Sequence, residues 1–193
     1  MLWIFTTIPT TIPTTTPAVA HATDWTIDGK ASSVQFVART GSHIRAKGTF
    51  SQVSGTLNYD PADPRGSSIS ARIPIATMST GVRVRDEDLK GAKYFNFARY
   101  PNAFFTSSTI VRQSNGTYRI KGKLTLHGVS KAVEVFLEAP KVEAGKGTLT
   151  AVGTATIDQN DFGLSLLQLH PDGAVRINRA IAITISLRAT NFQ

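Results

Sequence analysis

Residues 118–126 read YRIKGKLTL, and the alternation of side chains along this stretch decides the fold class. Tyr118, Ile120, Leu124 and Leu126 fall on one face, with basic residues and a threonine between them. A period of two is typical of an antiparallel strand that buries one face and wets the other. The stretch therefore predicts a half-buried β-strand.

The same alternation continues outward through most of the chain from Trp25 onward. Turn signals separate the alternating runs, among them Ser114-Asn115-Gly116 and the Pro- and Asp-rich loop at 60–66. Together the patterns predict about eight strands and a last strand that follows a loop. The predicted strands are 31–39, 42–50, 52–59, 67–76, 103–112, 117–126, 131–140, 147–157 and 175–189.

Residues 82–101, VRVRDEDLKGAKYFNFARYP, break the alternation. Acidic residues precede lysines, an order that suits the helix dipole, and Leu89, Ala92 and Phe95 recur at a spacing of three. This stretch predicts an amphipathic helix at about 84–96. Many short strands with one such helix indicate an all-β protein, an extended antiparallel eight-stranded barrel. A second break, DFGLSLLQLHPDG at 161–173, predicts a short helix or a loop over an opening.

The first 22 residues differ from the rest, because they contain no Lys, Arg, Asp or Glu and end in Ala20-His21-Ala22. This ending resembles a signal-peptidase site, so residues 1–22 are predicted to be a signal peptide. The expected mature domain is 23–193, in the periplasm or secreted. The leader lacks a basic start, and Thr and Pro dilute its apolar stretch, so a disordered Thr/Pro tail or a failed transmembrane helix is the alternative. No later apolar run approaches about 18 residues, and we expect no membrane-spanning helix.

The composition narrows the function classes. The 193 residues include no cysteine, which excludes disulfides and thiolate metal sites. The formal net charge is +8, but the basic residues are spread along the chain without a basic tail or a zinc-finger spacing. We therefore expect no nucleic-acid partner. The chain has no G-x-S-x-G motif and no phosphate-binding glycine loop, and His43, His127 and His170 lie far apart. No catalytic residue, metal or cofactor is predicted.

Five motifs, in a fixed order over roughly residues 24–189, resemble the YceI-like family of lipocalin-like periplasmic proteins. The 122–131 run is the most specific of them. Two departures stand out: Gln159 occupies a position where a basic residue is expected, and 165–176 is unusual. The motifs are W-T-I-D at 25–28 with Ser32, Val34 and Phe36; Gly48-Thr49-Phe50 with Gly55; S-T-G-V-R-V-R-D-E-D-L-K at 79–90 with Tyr94-Phe95 and Tyr100-Pro101; G-K-L-T-L-H-G-V-S-K at 122–131; and I-D-Q-N-D-F-G-L at 157–164.

The resemblance implies a barrel with an apolar interior that binds isoprenoid lipids, such as polyprenyl phosphates or quinones, or other long-chain amphiphiles. It implies no catalytic residues. The residues alone leave open whether the barrel is hollow, because inward glycines and alanines either leave space or face bulky Phe across a solid core.

Candidate ligand contacts follow from the pattern and the resemblance together. Arg83, Arg85 and Lys93 flank the predicted helix and are candidates for a head group at the barrel mouth. Surface pairing with the acids at 86–88 is the alternative. The candidate cavity lining is Phe36, Phe50, Ile73, Ile75, Leu89, Phe95, Phe97, Phe104, Leu124, Leu126, Val135 and Phe162.

The sequence thus predicts non-catalytic binding or transport of a long-chain isoprenoid or related amphiphilic lipid in the cell envelope. The rival hypotheses are an enzyme or accessory factor that acts on such a lipid, and a solid barrel that binds a protein partner. An outer-membrane barrel is a third rival, since lipid-facing and core-facing apolar faces look alike in sequence. A homodimer is left open.

Overall fold

The computed structural model describes residues 22–60, 63–164 and 178–191. The predicted signal peptide, apart from its last residue, lies outside the described residues, as does most of the second break. The first three residues of the predicted last strand also lie outside them.

Eleven strands and one α-helix make up the described part of the chain. The helix α1 is Arg83–Lys90, and short 3-10 turns occupy Pro64–Gly66, Ile75–Thr77, Ala144–Lys146 and Gln159–Phe162. The strands are β1 (Thr23–Ile27), β2 (Ser33–Thr40), β3 (His43–Phe50), β4 (Ser54–Tyr59), β5 (Ser68–Pro74), β6 (Asn102–Arg112), β7 (Tyr118–Leu126), β8 (Val129–Leu137), β9 (Lys141–Glu143), β10 (Thr148–Asp158) and β11 (Ala180–Thr190).

Eight of these strands form a closed antiparallel ring. Its order is β11, β1, β4, β5, β6, β7, β8 and β10, and β10 pairs again with β11 from Thr148↔Thr190 to Asp158↔Ala180. The β2–β3 hairpin extends the wall from the other part of β11, and β9 extends β10. This confirms the predicted eight-stranded, lipocalin-like barrel with one helix.

The two ends of the barrel differ. At one end lie the β2–β3 turn, the β7–β8 turn and the connection between β5 and β6 that carries α1; we call this the helix end. A buried cluster here includes Phe36, Phe50 and Phe95. The opposite end holds a second buried cluster that includes Trp25 and Leu149. The core is therefore two clusters along one axis, with the middle of the barrel between them.

The sequence analysis did not predict two short strands, β1 and β9. β1 has only Trp25 and Ile27 as buried apolar positions, too few for an alternating pattern to stand out. β9 is three exposed residues whose strand geometry comes from pairing with β10. β1 pairs with β4 and β11, which are distant in sequence, whereas β9 pairs with the neighbouring strand β10, and neither pairing shows in a local alternation pattern.

The helix is shorter than the predicted 84–96. It ends at Lys90 because Gly91 adopts extended dihedrals, with its N–H donating to the Asp88 carbonyl. The chain then turns back, and the Phe95 N–H donates to the Leu89 carbonyl at 2.9 Å. Leu89 and Phe95 are buried as predicted, but Ala92 is exposed, so their common burial comes from this turn and not from one continuous helical stripe.

Gly122 provides a test of barrel packing. A Cβ at this position would lie 2.5 Å from the Phe105 ring and 2.7 Å from the Thr106 carbonyl oxygen. We expect Gly122→Ala to lower the free energy of unfolding by about 1–3 kcal/mol, because the ring and the backbone must both move. Urea unfolding followed by circular dichroism measures this. Gly145→Ala is the matched control, since no heavy atom lies within 4 Å of its Cβ. Equal stabilities for both variants would contradict the packing.

Candidate functional site

An apolar cavity of about 170 Å³ lies inside the barrel between the two clusters. Its wall comes from inward positions of β2, β3, β5–β8, β10 and β11, and from Phe95 after the helix. Every wall residue except Gln159 has an apolar side chain. The wall runs along β11 from Ile181 to Leu187, about 20 Å at the usual strand rise. The space is therefore long and narrow, and its wall presents almost no polar side chains.

Eight of the twelve candidate lining residues lie on this wall, where they are placed to contact a ligand. Their contact with a ligand stays a prediction. The eight are Phe36, Phe50, Ile73, Ile75, Phe95, Leu124, Leu126 and Val135.

The other four candidates do not line the cavity. Leu89 and Phe162 are buried in the helix-end cluster, packed outside the wall. Phe97 follows the turn after α1 and is 38% exposed. Phe104 is 47% exposed and faces outward, opposite Arg72.

The wall also includes residues that were not among the candidates, and Phe105 is one for which the alternation predicts the wrong face. Ile110 on the same strand is buried, and counting back from it by twos reaches Phe104. However, the register between β6 and β7 shifts between Ser107 and Thr109, and one extra residue reverses the faces upstream of it. The strand therefore turns Phe105 inward and Phe104 outward. The neighbouring Ser107-Ser108-Thr109 run is the only local hint of the irregularity.

The small inward residues play both of the roles that the sequence left open. The Phe36 and Phe105 rings lie directly over Gly48 and Gly122, filling the space that a Cβ would otherwise occupy. Ala71 and Ala155 border the cavity instead. The barrel is consequently hollow, but its volume is reduced by aromatic rings that lean over glycines.

Among the residues that the structure describes, Gln159 is the one polar side chain on the wall, and it is 4% exposed. Its Nε2 donates to the Asn178 carbonyl at 3.3 Å, and its backbone N–H donates to the Arg179 carbonyl. Asn178 in turn exchanges hydrogen bonds with Gly41 in the β2–β3 turn. The side chains of Gln159 and Asn178 therefore connect the end of β10, the start of β11 and the β2–β3 turn. The resemblance led us to expect a basic residue at position 159.

The loop before α1 is organised by Asp86. Its carboxylate accepts hydrogen bonds from the Thr80 N–H at 2.7 Å, from the Thr80 hydroxyl, and from the Ser79 hydroxyl at 3.1 Å. Ser79 also exchanges two backbone hydrogen bonds with Thr49 on β3. The S-T-G-V-R-V-R-D motif therefore attaches the helix to the edge of the barrel. Burial acts to raise the pKa of Asp86, but these hydrogen bonds outweigh it and hold the pKa below its ordinary value.

Each of the three candidate head-group cations has its own contact within the protein. Arg83 forms an ion pair with Glu87 at 2.7 Å, as the surface alternative expected. Arg85 donates to the hydroxyl and the carbonyl of Thr80. The Lys93 ammonium lies 5.4 Å from the centre of the Tyr94 ring. Their role toward a lipid head group stays a prediction.

The opposite end of the barrel holds two buried tyrosines. The Tyr59 and Tyr118 hydroxyls lie 3.2 Å apart in the second cluster. Burial raises the pKa of Tyr59 well above its usual range, and the hydrogen bond to Tyr118 adds to the shift. The Tyr59 hydroxyl therefore keeps its proton and stays neutral at neutral pH.

The histidines offer no metal site in the part of the chain that is described. His127 lies in the β7–β8 turn, where its ring contacts Tyr100 and its Nδ1 is 3.2 Å from the Phe162 carbonyl oxygen. His43 is exposed, and the prediction for His170 lies outside the described residues. Within 22–60, 63–164 and 178–191, no three metal-binding side chains cluster. No helix in those ranges has the length and hydropathy needed to span a membrane.

Comparison with known proteins places this geometry among relatives. The family model described as "YceI-like domain" matches residues 25–189. A UPF0312 protein of Vibrio cholerae is 28% identical over 167 residues, which are 80% of this chain and 88% of that protein.

Two solved structures share the fold. Burkholderia cenocepacia BcnA superposes with a TM-score of 0.75 at 24% identity, covering 85% of this chain and 99% of that one. A domain from Saccharophagus degradans, described as polyisoprenoid-binding, superposes with a TM-score of 0.64 at 17% identity and covers 87% and 98%.

The Asp86 hydrogen bonds predict a pH-dependent stability. A lowered folded-state pKa means that the carboxylate stabilises the fold above its ordinary pKa of 3.8, and that this contribution is lost as pH falls through the lower folded value. We expect Asp86→Asn to be less stable than the wild type at pH 7, with the difference shrinking below pH 3.8. Urea unfolding at neutral and acid pH measures it. Asp88→Asn, an exposed acid of the same helix, controls for lost charge. A difference that stays constant with pH would refute this role.

Proposed function

Because this chain belongs to the YceI-like domain family, we propose that it is a non-catalytic protein that binds a long-chain isoprenoid or related amphiphilic lipid inside its barrel. The observation that carries the proposal is the long, narrow cavity with its apolar wall. The structural likeness to a domain described as polyisoprenoid-binding supports it.

The physics of the wall suits a hydrocarbon chain. Each CH₂ group removed from water contributes about 0.8 kcal/mol, so ten buried groups contribute about 8 kcal/mol before the costs of binding. Affinity then grows with the buried chain length, and the wall selects ligands by thickness rather than by head group.

The size of the cavity limits how much of the chain fits without rearrangement. An apolar cavity of about 150 Å³ in an engineered protein binds benzene. The 170 Å³ here therefore holds a short segment of an isoprenoid chain. A long chain enlarges this space by displacing wall side chains or leaves the barrel at the helix end. We expect the bound form to differ most around the Phe36 and Phe105 rings, which lean over glycines.

A binding role is also favoured by what the polar groups do. A catalytic site needs polar groups that face the ligand, and among the described residues Gln159 is the one polar side chain on the wall. The lowered pKa of Asp86 comes from hydrogen bonds in the loop before α1, whereas the raised pKa of Tyr59 comes mainly from burial and then from its hydrogen bond to Tyr118. Neither residue lies on the cavity wall, and no acid or base is among the described residues that line it.

The proposal includes a location in the cell envelope, periplasmic or secreted. The uncharged leader with its Ala20-His21-Ala22 ending supports export. β1 begins at Thr23, the residue that follows the predicted cleavage point. Osmotic-shock fractionation of cells that express the full chain tests the location. Retention of uncleaved protein in the cytoplasm would contradict it.

Blocking the cavity should prevent loading. Ala155 lies on the wall between Val135 and Ile183, whereas Thr154 beside it faces outward and is exposed. We expect Ala155→Phe to reduce the lipid-bound fraction at least tenfold, because the ring occupies the space of a short chain segment. Native mass spectrometry after incubation with a polyprenol, or with a total lipid extract, gives that fraction. Thr154→Phe is the matched control and should load like the wild type.

The outcomes separate the hypotheses. A one-to-one lipid adduct that Ala155→Phe loses establishes the carrier function and identifies the lipid by mass. A bare wild-type mass after incubation with both preparations overturns the proposal and favours a barrel that binds a protein partner. The same spectra report whether the protein is a monomer or the homodimer left open by the sequence.

A further inference from the structure

The helix end combines exposed apolar side chains with an excess of positive charge. Eight large hydrophobic side chains are exposed among the residues that the structure describes, and four of them lie in two segments, 39–50 and 79–99. These four, Ile44, Val82, Val84 and Phe97, we call the apolar rim. Val84 is the most exposed, at 68%.

The two segments lie side by side at the helix end. Thr49 and Ser79 form an antiparallel bridge, so the chain after Ser79 continues along β3 toward the β2–β3 turn. The contact between Thr80 and the Gly48 position continues this pairing by one residue. The chain that leads to Val82 therefore runs toward the hairpin that carries Ile44, and Val84 follows in the first turn of α1. The Phe97 N–H donates to the Lys90 carbonyl at the end of that helix. The rim residues thus come from adjoining segments at the helix end.

The same two segments carry most of the protein's excess charge. They contain eight Lys and Arg against three Asp and Glu, so they supply five of the eight net positive charges of the chain. Two of the three acids are engaged locally, Asp86 by Ser79 and Thr80 and Glu87 by Arg83. The surface around the rim is therefore basic.

We infer that this rim docks the protein on an anionic phospholipid bilayer, an inference that rests on the proposed lipid-binding function. Apolar side chains among cations suit the bilayer interface, where the former enter the boundary of the acyl chains and the latter meet anionic head groups. A nucleic acid would use the charge but leave the exposed valines and Phe97 without a partner.

The apolar rim lies close in sequence to residues of the cavity wall. Phe95 on the cavity wall is two residues from Phe97, and Phe50 on the wall follows Thr49, which holds the loop before α1. A bilayer at this surface lies against the helix end of the cavity. A hydrocarbon chain can then move from the bilayer into the barrel without crossing water, which would cost free energy for every exposed CH₂ group.

The experiment is flotation of the full chain with vesicles of phosphatidylcholine alone and of equal parts phosphatidylcholine and phosphatidylglycerol, at low and high salt. We expect binding to the phosphatidylglycerol vesicles at low salt that weakens as salt screens the charges. Val84→Asp should weaken this binding about fivefold, the effect of one charge near an anionic surface. Phe97→Ser should weaken it in the same direction.

Matched controls lie on the outer barrel wall. Val152→Asp and Phe104→Ser make the same substitutions at residues that are 42% and 47% exposed and lie outside both segments, and they should bind like the wild type. Circular dichroism confirms that each variant is folded. If the wild-type protein does not bind phosphatidylglycerol vesicles at low salt, the docking is overturned. A protein partner is then the favoured occupant of the rim. Controls that lose as much binding as the rim variants also overturn it.

Loading from detergent micelles separates this inference from the proposed function. A polyprenol offered in micelles requires the cavity but no bilayer, and native mass spectrometry reports the bound fraction. We expect Val84→Asp to load normally from micelles and slowly from phosphatidylglycerol vesicles. Equal loading of wild type and Val84→Asp from vesicles overturns the docking alone. Failure of the wild type to load from micelles overturns the lipid-binding function, and with it the docking.

Discussion

The antiparallel pairing of β10 with β11 is the interaction on which the rest of the barrel depends. Its register runs without a shift from Thr148↔Thr190 to Asp158↔Ala180 and closes the ring. β11 also pairs with β1 at one part and with β2 at another, so it holds three neighbours in place. Because side chains alternate with a period of two, this one register sends a continuous row of Ile and Leu side chains from β11 into the interior.

Closure of the ring gives polar and apolar side chains different structural roles. Strand N–H and C=O groups are satisfied by neighbouring strands, and a closed ring leaves no unpaired edge along its length. The polar side chains near the ends then hold loops: Asp86 fixes the approach to α1, Gln159 ties the start of β11, and Tyr59 bonds Tyr118. With those groups committed elsewhere, the cavity wall is apolar almost throughout, and a ligand is recognised mainly through its hydrocarbon.

The helix end is where the closed barrel meets its surroundings. α1 interrupts the strand pattern between β5 and β6. Val84 in the helix and Phe97 after it are exposed, whereas Phe95 lines the cavity. The basic surface around them is not visible as a cluster along the chain, since its members come from 39–50 and 79–99. The fold therefore places a wall residue of the cavity and an exposed apolar, positively charged surface at the same end of the barrel.

The sequence by itself determined the all-β class and nine of the eleven strands, and it named eight of the residues that line the cavity, because alternation reports which face of a strand is buried. Only the tertiary structure decided the rest. β1 depends on β4 and β11 for its conformation, the bulge in β6 exchanged Phe104 for Phe105, and Gly91 ended the helix before Phe95. Whether the barrel is hollow was equally undecidable, since it depends on which rings lean over Gly48 and Gly122 from neighbouring strands. Apart from the end of the helix, which is local, these features arise from contacts between different strands, and a period along one strand carries no information about its partner.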